Sequence, residues 1–214
     1  PTLICFDWGG VILRICRTWA EACAAANLPV RTGSESGEHA PARQDIVRAH
    51  QEGRLEFDDY TARLAAAFDH LYTPAEIARI HDAWLLHEYP GVADLITELH
   101  SIPHLQTALL SNTNQRHVLR GLSAAHGGHA HFPTAHRLHH LFYSSRLGHT
   151  KPRPEFYNAL TTTTRIPPAS ILFFDDLEDN IASARSLGWN ATLIDHAADT
   201  AAQMRASLRA QGVL

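Results

Sequence analysis

Apolar residues gather along this chain in five short runs, Leu3 to Phe6, Gln106 to Leu110, His140 to Ser144, Ile171 to Phe174 and Ala191 to Ile194. Runs of this length read as strands buried on both faces, the habit of parallel sheets. Helical spacing fills the intervals between the last four: Asn114 to Ala124, Pro154 to Thr164 and Glu178 to Leu187. Proline opens the second of these, where its missing N–H costs nothing, and Gly188 follows the third as a helix stop. Strand alternating with helix predicts a parallel sheet covered by helices on both faces.

The interval between the first two strands breaks the alternation. From about Ile15 to Tyr89 the pattern is helical, with no convincing strand. Thr73-Pro74-Ala75-Glu76 forms a capping box and predicts a helix through roughly His87. Arg17 to Asn27, Ala42 to Gln51 and Asp58 to Phe68 also carry helical spacing. An ordinary crossover is far shorter, so residues 15–89 are expected to form an inserted α-helical cap on a core of residues 1–14 and 90–214. The stretch Arg31 to Pro41, rich in Gly and Ser, is its expected mobile loop.

Polar residues interrupt the pattern at strand ends, where open α/β sheets bind ligands. Asp7 ends the first run, and Ser111-Asn112-Thr113-Asn114 ends the second. Lys151-Pro152 lies a few residues past the third, and Asp175-Asp176 with Asp179 and Asn180 closes the fourth. Each has an ordinary role alone: Asp and Asn make turns, and Ser caps helices. Together they supply a carboxylate nucleophile, hydroxyl and amide donors, a cation and an acidic metal seat. Phosphoryl transfer needs those parts, because it rests on positioning and charge neutralisation.

Composition narrows the setting. The chain is 214 residues long, 45% hydrophobic and 19% charged, with a net charge of -4. That supports a real core and gives no broad attraction to nucleic acid or an anionic membrane. No apolar stretch is long enough to span a bilayer, and a strand reaching Asp7 so early leaves no room for a signal peptide. Three cysteines, Cys5, Cys16 and Cys23, form no CxxC pair, which fits a reduced, cytoplasmic protein.

The four polar segments resemble the motifs of the haloacid dehalogenase superfamily in order and spacing, over essentially the whole chain. The first motif is similar to Phe6-Asp7-Trp8-Gly9-Gly10-Val11, the second to Leu110-Ser111-Asn112 and the third to Lys151-Pro152. The fourth is similar to Phe174-Asp175-Asp176-Leu177-Glu178-Asp179-Asn180-Ile181. More narrowly, Leu110 to Asn114, Leu147-Gly148 and Glu52-Gly53-Arg54-Leu55 with Tyr60 resemble the branch that contains bacterial α-D-glucose-1-phosphate phosphatase. The resemblance implies a Rossmann-like α/β core with a helical cap inserted after the first strand. It also implies a Mg²⁺-dependent phosphomonoesterase acting on a small phosphate ester such as a sugar phosphate. Asp7 would attack phosphorus and form an aspartyl-phosphate. Asp7, the Gly9 carbonyl and Asp176 would hold Mg²⁺, and Asp175 and Asn180 would orient its waters. Ser111, Asn112 and Lys151 would hold the phosphoryl oxygens.

One position departs from the family's phosphatases. They usually carry a second Asp two residues after the nucleophile, as general acid and then base, and here that position is Gly9. General acid–base catalysis typically contributes ~10²–10⁴-fold, so a good leaving group or another residue must compensate. Two rivals follow. A metal-independent 2-haloacid dehalogenase also lacks the second Asp, but its pattern replaces the acidic pair found here. A phosphatase-like protein kept for binding without turnover would fit Gly9, yet Asp7, Ser111, Lys151 and Asp176 are intact. A receiver-type phosphoacceptor leaves the helical insertion unexplained. Among the 16 histidines, those between His126 and His140 lack the framework of a zinc site and read as a polar surface connection. Trp19, Trp84 and Trp189 read as packing. Trp8 either packs or lines the substrate pocket. Substrate and oligomeric state stay open.

Overall fold

The computed structural model describes residues 1–35, 40–122 and 131–214. In chain order the elements are β1 (Leu3–Phe6), β2 (Leu13–Ile15), α1 (Trp19–Ala25), α2 (Ala40–Gln51), α3 (Phe57–Ala67), α4 (Pro74–Ala83) and β3 (Leu85–Glu88). There follow α5 (Val92–His100), β4 (Gln106–Ser111), α6 (Gln115–Leu122), the one-turn α7 (Pro133–His136), β5 (His140–Tyr143) and the one-turn α8 (Ser144–Leu147). The chain closes with α9 (Pro154–Thr164), β6 (Ile171–Asp175), α10 (Glu178–Ser186), β7 (Asn190–Leu193) and α11 (Thr200–Ala210).

The main sheet runs β5-β4-β1-β6-β7 with every pair parallel. Its alternation divides the core. Ile4 and Phe6 face the cluster that takes Val92, Leu95, Ile96 and Leu99 from α5. Leu3 and Cys5 face the cluster containing Phe156, Tyr157 and Leu160 of α9. Both sides of each inner strand are therefore buried, which is why these strands read as unbroken apolar runs. Central β1 pairs Phe6 with Leu109 on one side and Phe174 on the other. That register sets Asp7 level with the ends of both neighbours.

Helices α1 to α4 gather an apolar cluster of their own, including Cys23, Tyr60, Leu64, Phe68, Tyr72 and Ile77. The capping box at Thr73 and Glu76 is present as expected. Two expectations here are corrected. The helix it opens ends at Ala83 instead of His87, and Leu85–Glu88 is a strand where none was expected. The cause is a nonlocal pairing: β3 joins β2 antiparallel, with Cys16 N donating to Trp84 O at 2.9 Å and Tyr89 N to Ile12 O at 2.9 Å. This two-stranded stem carries the chain into and out of the helical insertion. The loop expected to be mobile falls in part on residues 36–39, which lie outside the described residues, as do His126 and His129. Of the described histidines in that region, His139 accepts from Thr107 N at 3.0 Å and His140 pairs with Gln106 Oε1 at 2.7 Å, so both tie the start of β4.

The insertion is fastened to the core at the end of α2. Ser144 Oγ donates to Gln51 O at 2.6 Å and accepts from Thr113 N at 2.9 Å, while Thr150 Oγ1 donates to Glu52 Oε1 at 3.1 Å. Gly53 completes the contact with φ +68°, and a Cβ there would stand 2.4 Å from Ser145 O. Gly53→Ala should thus cost at least ~1–2 kcal/mol from backbone handedness alone, with the clash added. A urea midpoint equal to wild type would show that this approach is not obligatory.

Candidate active site

Four chain segments deliver their polar residues to the carboxyl edge of the sheet. Asp7 leaves β1, Ser111 ends β4, Asp175 ends β6, and Lys151 follows the turn after α8. The Lys151 ammonium is buried, 2.9 Å from Asp7 Oδ1 and 2.7 Å from Asp175 Oδ2. Asp175 is satisfied further by Leu177 N and by Asn180 Nδ2, each donating to Oδ1 at 2.9 Å. Asn180 thus orients Asp175 directly. Asp7 Oδ1 also accepts from Trp8 N at 2.7 Å.

Burial pulls the Lys151 ammonium toward neutrality, but Asp175 and Asp7 outweigh it and raise the pKa, so the cation persists. Burial raises the Asp7 carboxyl, and although Lys151 opposes this, Asp175 and Asp176 push it higher still. The pocket is short of positive charge. Asp7, Asp175 and Asp176 can each offer an oxygen with all three within 4.8 Å of one another, the one such cluster among the described residues. Asp176 Oδ2 is buried without a hydrogen bond, 2.6 Å from Arg17 Nη1 as an ion pair only. An all-oxygen set with an unsatisfied member fits a hard divalent cation.

Asn112, expected at phosphate, also engages the lysine. Its Nδ2 donates to Lys151 O at 3.0 Å and its Oδ1 accepts from Lys151 N at 2.8 Å. The side chain clamps the main chain of the lysine, leaving one amide hydrogen for other work. Ser111 is buried and faces a cavity of about 670 Å³ between core and insertion, a volume typical of small-molecule sites. The Trp8 ring packs edge-on against Phe132 at 6.5 Å and also borders this cavity. Trp19 and Trp84 line it too, beyond the packing role read from sequence.

The left-handed residue of the first turn is Gly10, with φ +86°, and a Cβ there would meet Arg17 Nη2 and Asp176 Cγ at 2.4 Å each. Gly9 has no such backbone demand. A Cβ at Gly9 would instead press on Ile15 Cδ1 at 2.8 Å, so the space of the missing acid is bordered by an aliphatic side chain.

Sequence reasoning missed two groups. Arg17 carries no local signal, since only the fold brings it to Asp176. The other is a set of rings at the insertion–core boundary. His81 stacks on His117 at 4.0 Å, and His81 Nδ1 lies 3.3 Å from Tyr60 Oη. His81 Nε2 is 3.3 Å from Asn114 Oδ1, and His117 Nε2 donates to His81 O at 2.8 Å. A single histidine on each of α2, α4 and α6 carries no local signal of their meeting.

Comparisons with known proteins give the family. Residues 1–188 match the family model of haloacid dehalogenase-like hydrolases, and the chain belongs to that family. It is accordingly a hydrolase. D-ribitol-5-phosphate phosphatase of Bacteroides thetaiotaomicron is 29% identical over 205 residues, covering 92% of this chain and 93% of the relative. A HAD-like family hydrolase from Porphyromonas gingivalis superposes with a TM-score of 0.75 at 20% identity, covering 97% of each chain. A HAD family enzyme of B. thetaiotaomicron, solved with magnesium and inorganic phosphate, superposes with a TM-score of 0.72 at 20% identity, over 92% of this chain and 96% of the other.

The ring cluster has a pH signature. Burial lowers the His117 pKa from 6.5 to about 4, and burial followed by the His117 charge lowers His81 further. The unfolded imidazoles take protons near pH 6.5, whereas the folded ones resist. Stability is therefore complete above that pH and is lost as pH falls toward 4, by on the order of 3 kcal/mol for His117. Denaturant midpoints at pH 7 and 4.5 test this, and His117→Gln should flatten the dependence. An unchanged slope in that variant would assign the acid lability elsewhere.

Proposed function

We propose that this hydrolase is a Mg²⁺-dependent phosphomonoesterase of a small phosphate ester, with Asp7 as covalent nucleophile. The observation that carries the reading is the buried Lys151 ammonium shared by Asp7 and Asp175 beside the under-satisfied Asp176. Asp7, Asp176 and the Gly9 carbonyl would hold Mg²⁺, which supplies the charge that lets a phosphate dianion approach a carboxylate. An Asp7 oxygen bonds to phosphorus as the ester P–O bond breaks, and the departing oxygen takes a proton from water. Water then attacks the aspartyl-phosphate, releasing inorganic phosphate and restoring Asp7. Lys151 offsets charge on Asp7 and the phosphoryl oxygens. Ser111 and the remaining amide hydrogen of Asn112 hold those oxygens, and Asp175 with Asn180 keeps Lys151 and the metal waters in place.

Residues 15–89 act as the cap over a core of 1–14 and 90–214, excluding water from the cavity. A sugar phosphate body is the finer reading, supported by the motif resemblance to the glucose-1-phosphate phosphatase branch and by the named activity of the B. thetaiotaomicron relative. The three cysteines are free and buried, which supports a reducing, cytoplasmic setting, and no helix among the described residues is long and apolar enough to cross a membrane. The substrate is a small molecule, with no nucleic acid involved. The acidic pair Asp175-Asp176 favours this reading over a haloacid dehalogenase.

EDTA should abolish phosphate release from an aryl phosphate, and Mg²⁺ should restore it. Asp7→Asn should lower turnover by several orders of magnitude while leaving the fold intact. Chelator-resistant turnover, or chloride release from 2-chloropropionate, would favour the dehalogenase. A near-wild-type Asp7→Asn would remove the nucleophile from this site.

Arg17 adds a separate expectation. Its guanidinium sits against Asp176, so it and a divalent cation compete for one carboxylate. Arg17→Met should bind Mg²⁺ several-fold more tightly by calorimetry. Equal or weaker binding would mean the two cations are accommodated together.

A further inference from the structure

The cavity between core and insertion has two unlike sides. Its volume of about 670 Å³ suits a drug-sized ligand, which is larger than a phosphorylated monosaccharide. At one end stand Ser111, Asn112 and Gly9. Along one side the β2–β3 stem contributes Ile15 and Leu85, which pair across it. The insertion continues that side with Trp19, Val47 and Trp84. All five are half-buried, so each keeps surface that the packed residues behind it do not.

Ile15 brings this apolar side up to the reaction centre, because its Cδ1 lies 2.8 Å from where a Cβ of residue 9 would stand. The buried polar groups of the lining are engaged among themselves. His81 Nδ1 lies 3.3 Å from Tyr60 Oη, His50 Nδ1 lies 2.8 Å from the Leu55 carbonyl, and Asn114 Oδ1 accepts from His117 N at 3.0 Å. The charged lining residues, Glu35, Arg43 and Arg48, come from one stretch of chain, and Arg43 lies over the Phe68 ring, 4.5 Å from its centroid. A ligand here meets polar groups along one edge and hydrocarbon along the other. A hydroxyl set against the hydrocarbon edge gives up water without a new partner, whereas an apolar group gains by leaving water.

We propose that the ester this enzyme takes carries an apolar hydrocarbon group beside its more polar part, and that Ile15, Leu85, Trp84, Trp19 and Val47 form the subsite for it. This rests on the phosphatase reading and deepens it by naming the substrate class: an amphipathic phosphate monoester, not one hydroxylated on every side. The two tryptophan rings supply most of the contact, since an indole offers a large flat apolar surface. Trp19 is braced for that role by Phe68, stacked at 4.2 Å, and by Tyr72, edge-on at 5.3 Å.

Alkylphosphonates with Mg²⁺ present test this, because their P–C bond is not cleaved and binding is read without turnover. By calorimetry, wild type should bind benzylphosphonate roughly 10- to 100-fold more tightly than methylphosphonate. A polyhydroxylated alkylphosphonate of similar size should gain less than about threefold. Trp84→Ala and Val47→Asp should each remove most of the benzyl gain while inorganic phosphate binds as it does to wild type. Benzylphosphonate bound no more tightly than methylphosphonate, or the hydroxylated probe bound as tightly as the benzyl one, would overturn the proposal. So would a benzyl gain kept in both variants, and loss of inorganic phosphate binding in both would make the wall structural and overturn it equally. In each of these outcomes, Mg²⁺-dependent phosphate release from esters by wild type leaves the phosphatase reading standing. Absence of that release from every ester would overturn both.

Discussion

The ammonium of Lys151, buried between Asp7 and Asp175, is the contact on which the rest of this site depends. Three carboxylates packed at the edge of a sheet repel one another, and without a cation they would protonate or push the strand ends apart. Lys151 is held from three sides: two carboxylates grip its head and the Asn112 amide clamps its main chain. The strand order makes this possible. Only with β1 central do the ends of β4 and β6 stand on either side of Asp7, and a slip of one residue in β1 would turn Asp7 to the other face. One lysine still leaves the site with surplus negative charge, and the Arg17–Asp176 ion pair shows where a second cation is wanted.

Much of this was legible in the residues. The apolar runs located all five core strands to within a residue or so, because strands buried on both faces leave an unmistakable pattern. The strand-end rule then brought Asp7, Ser111, Lys151 and Asp175-Asp176 together before any coordinates. What stayed hidden was nonlocal. Leu85–Glu88 continues a helical pattern on its own and becomes a strand only because Leu13–Ile15 is there to pair with it. Arg17 and His81 have unremarkable neighbours in sequence, and their meaning lies in what the fold sets opposite them. The motif resemblance points Asn112 at phosphate, and its hold on the Lys151 main chain comes to light only in the fold.

Gly9 shows how the first turn balances two demands. The turn needs a glycine at Gly10 for handedness and for room beside Asp176 and Arg17. At Gly9 the backbone asks for nothing unusual, and the obstacle to a side chain is the flexible end of Ile15. The absence of the family's second carboxylate is thus a choice of chemistry, not a requirement of the fold. It also spares the site a fourth negative charge. On the proposed phosphatase reading, the cost would be a missing proton donor, which would shift the burden onto the leaving group and favour an anomeric or otherwise acidified oxygen over a primary alkoxide.

The insertion meets the core along two seams, each with a buried part. At one, Arg116 forms a two-point pair with Asp82 at 2.6 and 2.7 Å on the exposed surface, where such a pair contributes ~0–1 kcal/mol, and beneath it buried His117 donates to His81 O at 2.8 Å. At the other, buried Glu52 accepts from buried Thr150 and half-buried Gln51 accepts from buried Ser144. On the proposed reading, an insertion that admits a ligand must part from the core somewhere. Each seam would then have to give up a buried hydrogen bond, His117 to His81 O at one and Ser144 to Gln51 O at the other, so a closed arrangement over the cavity is the one the contacts favour.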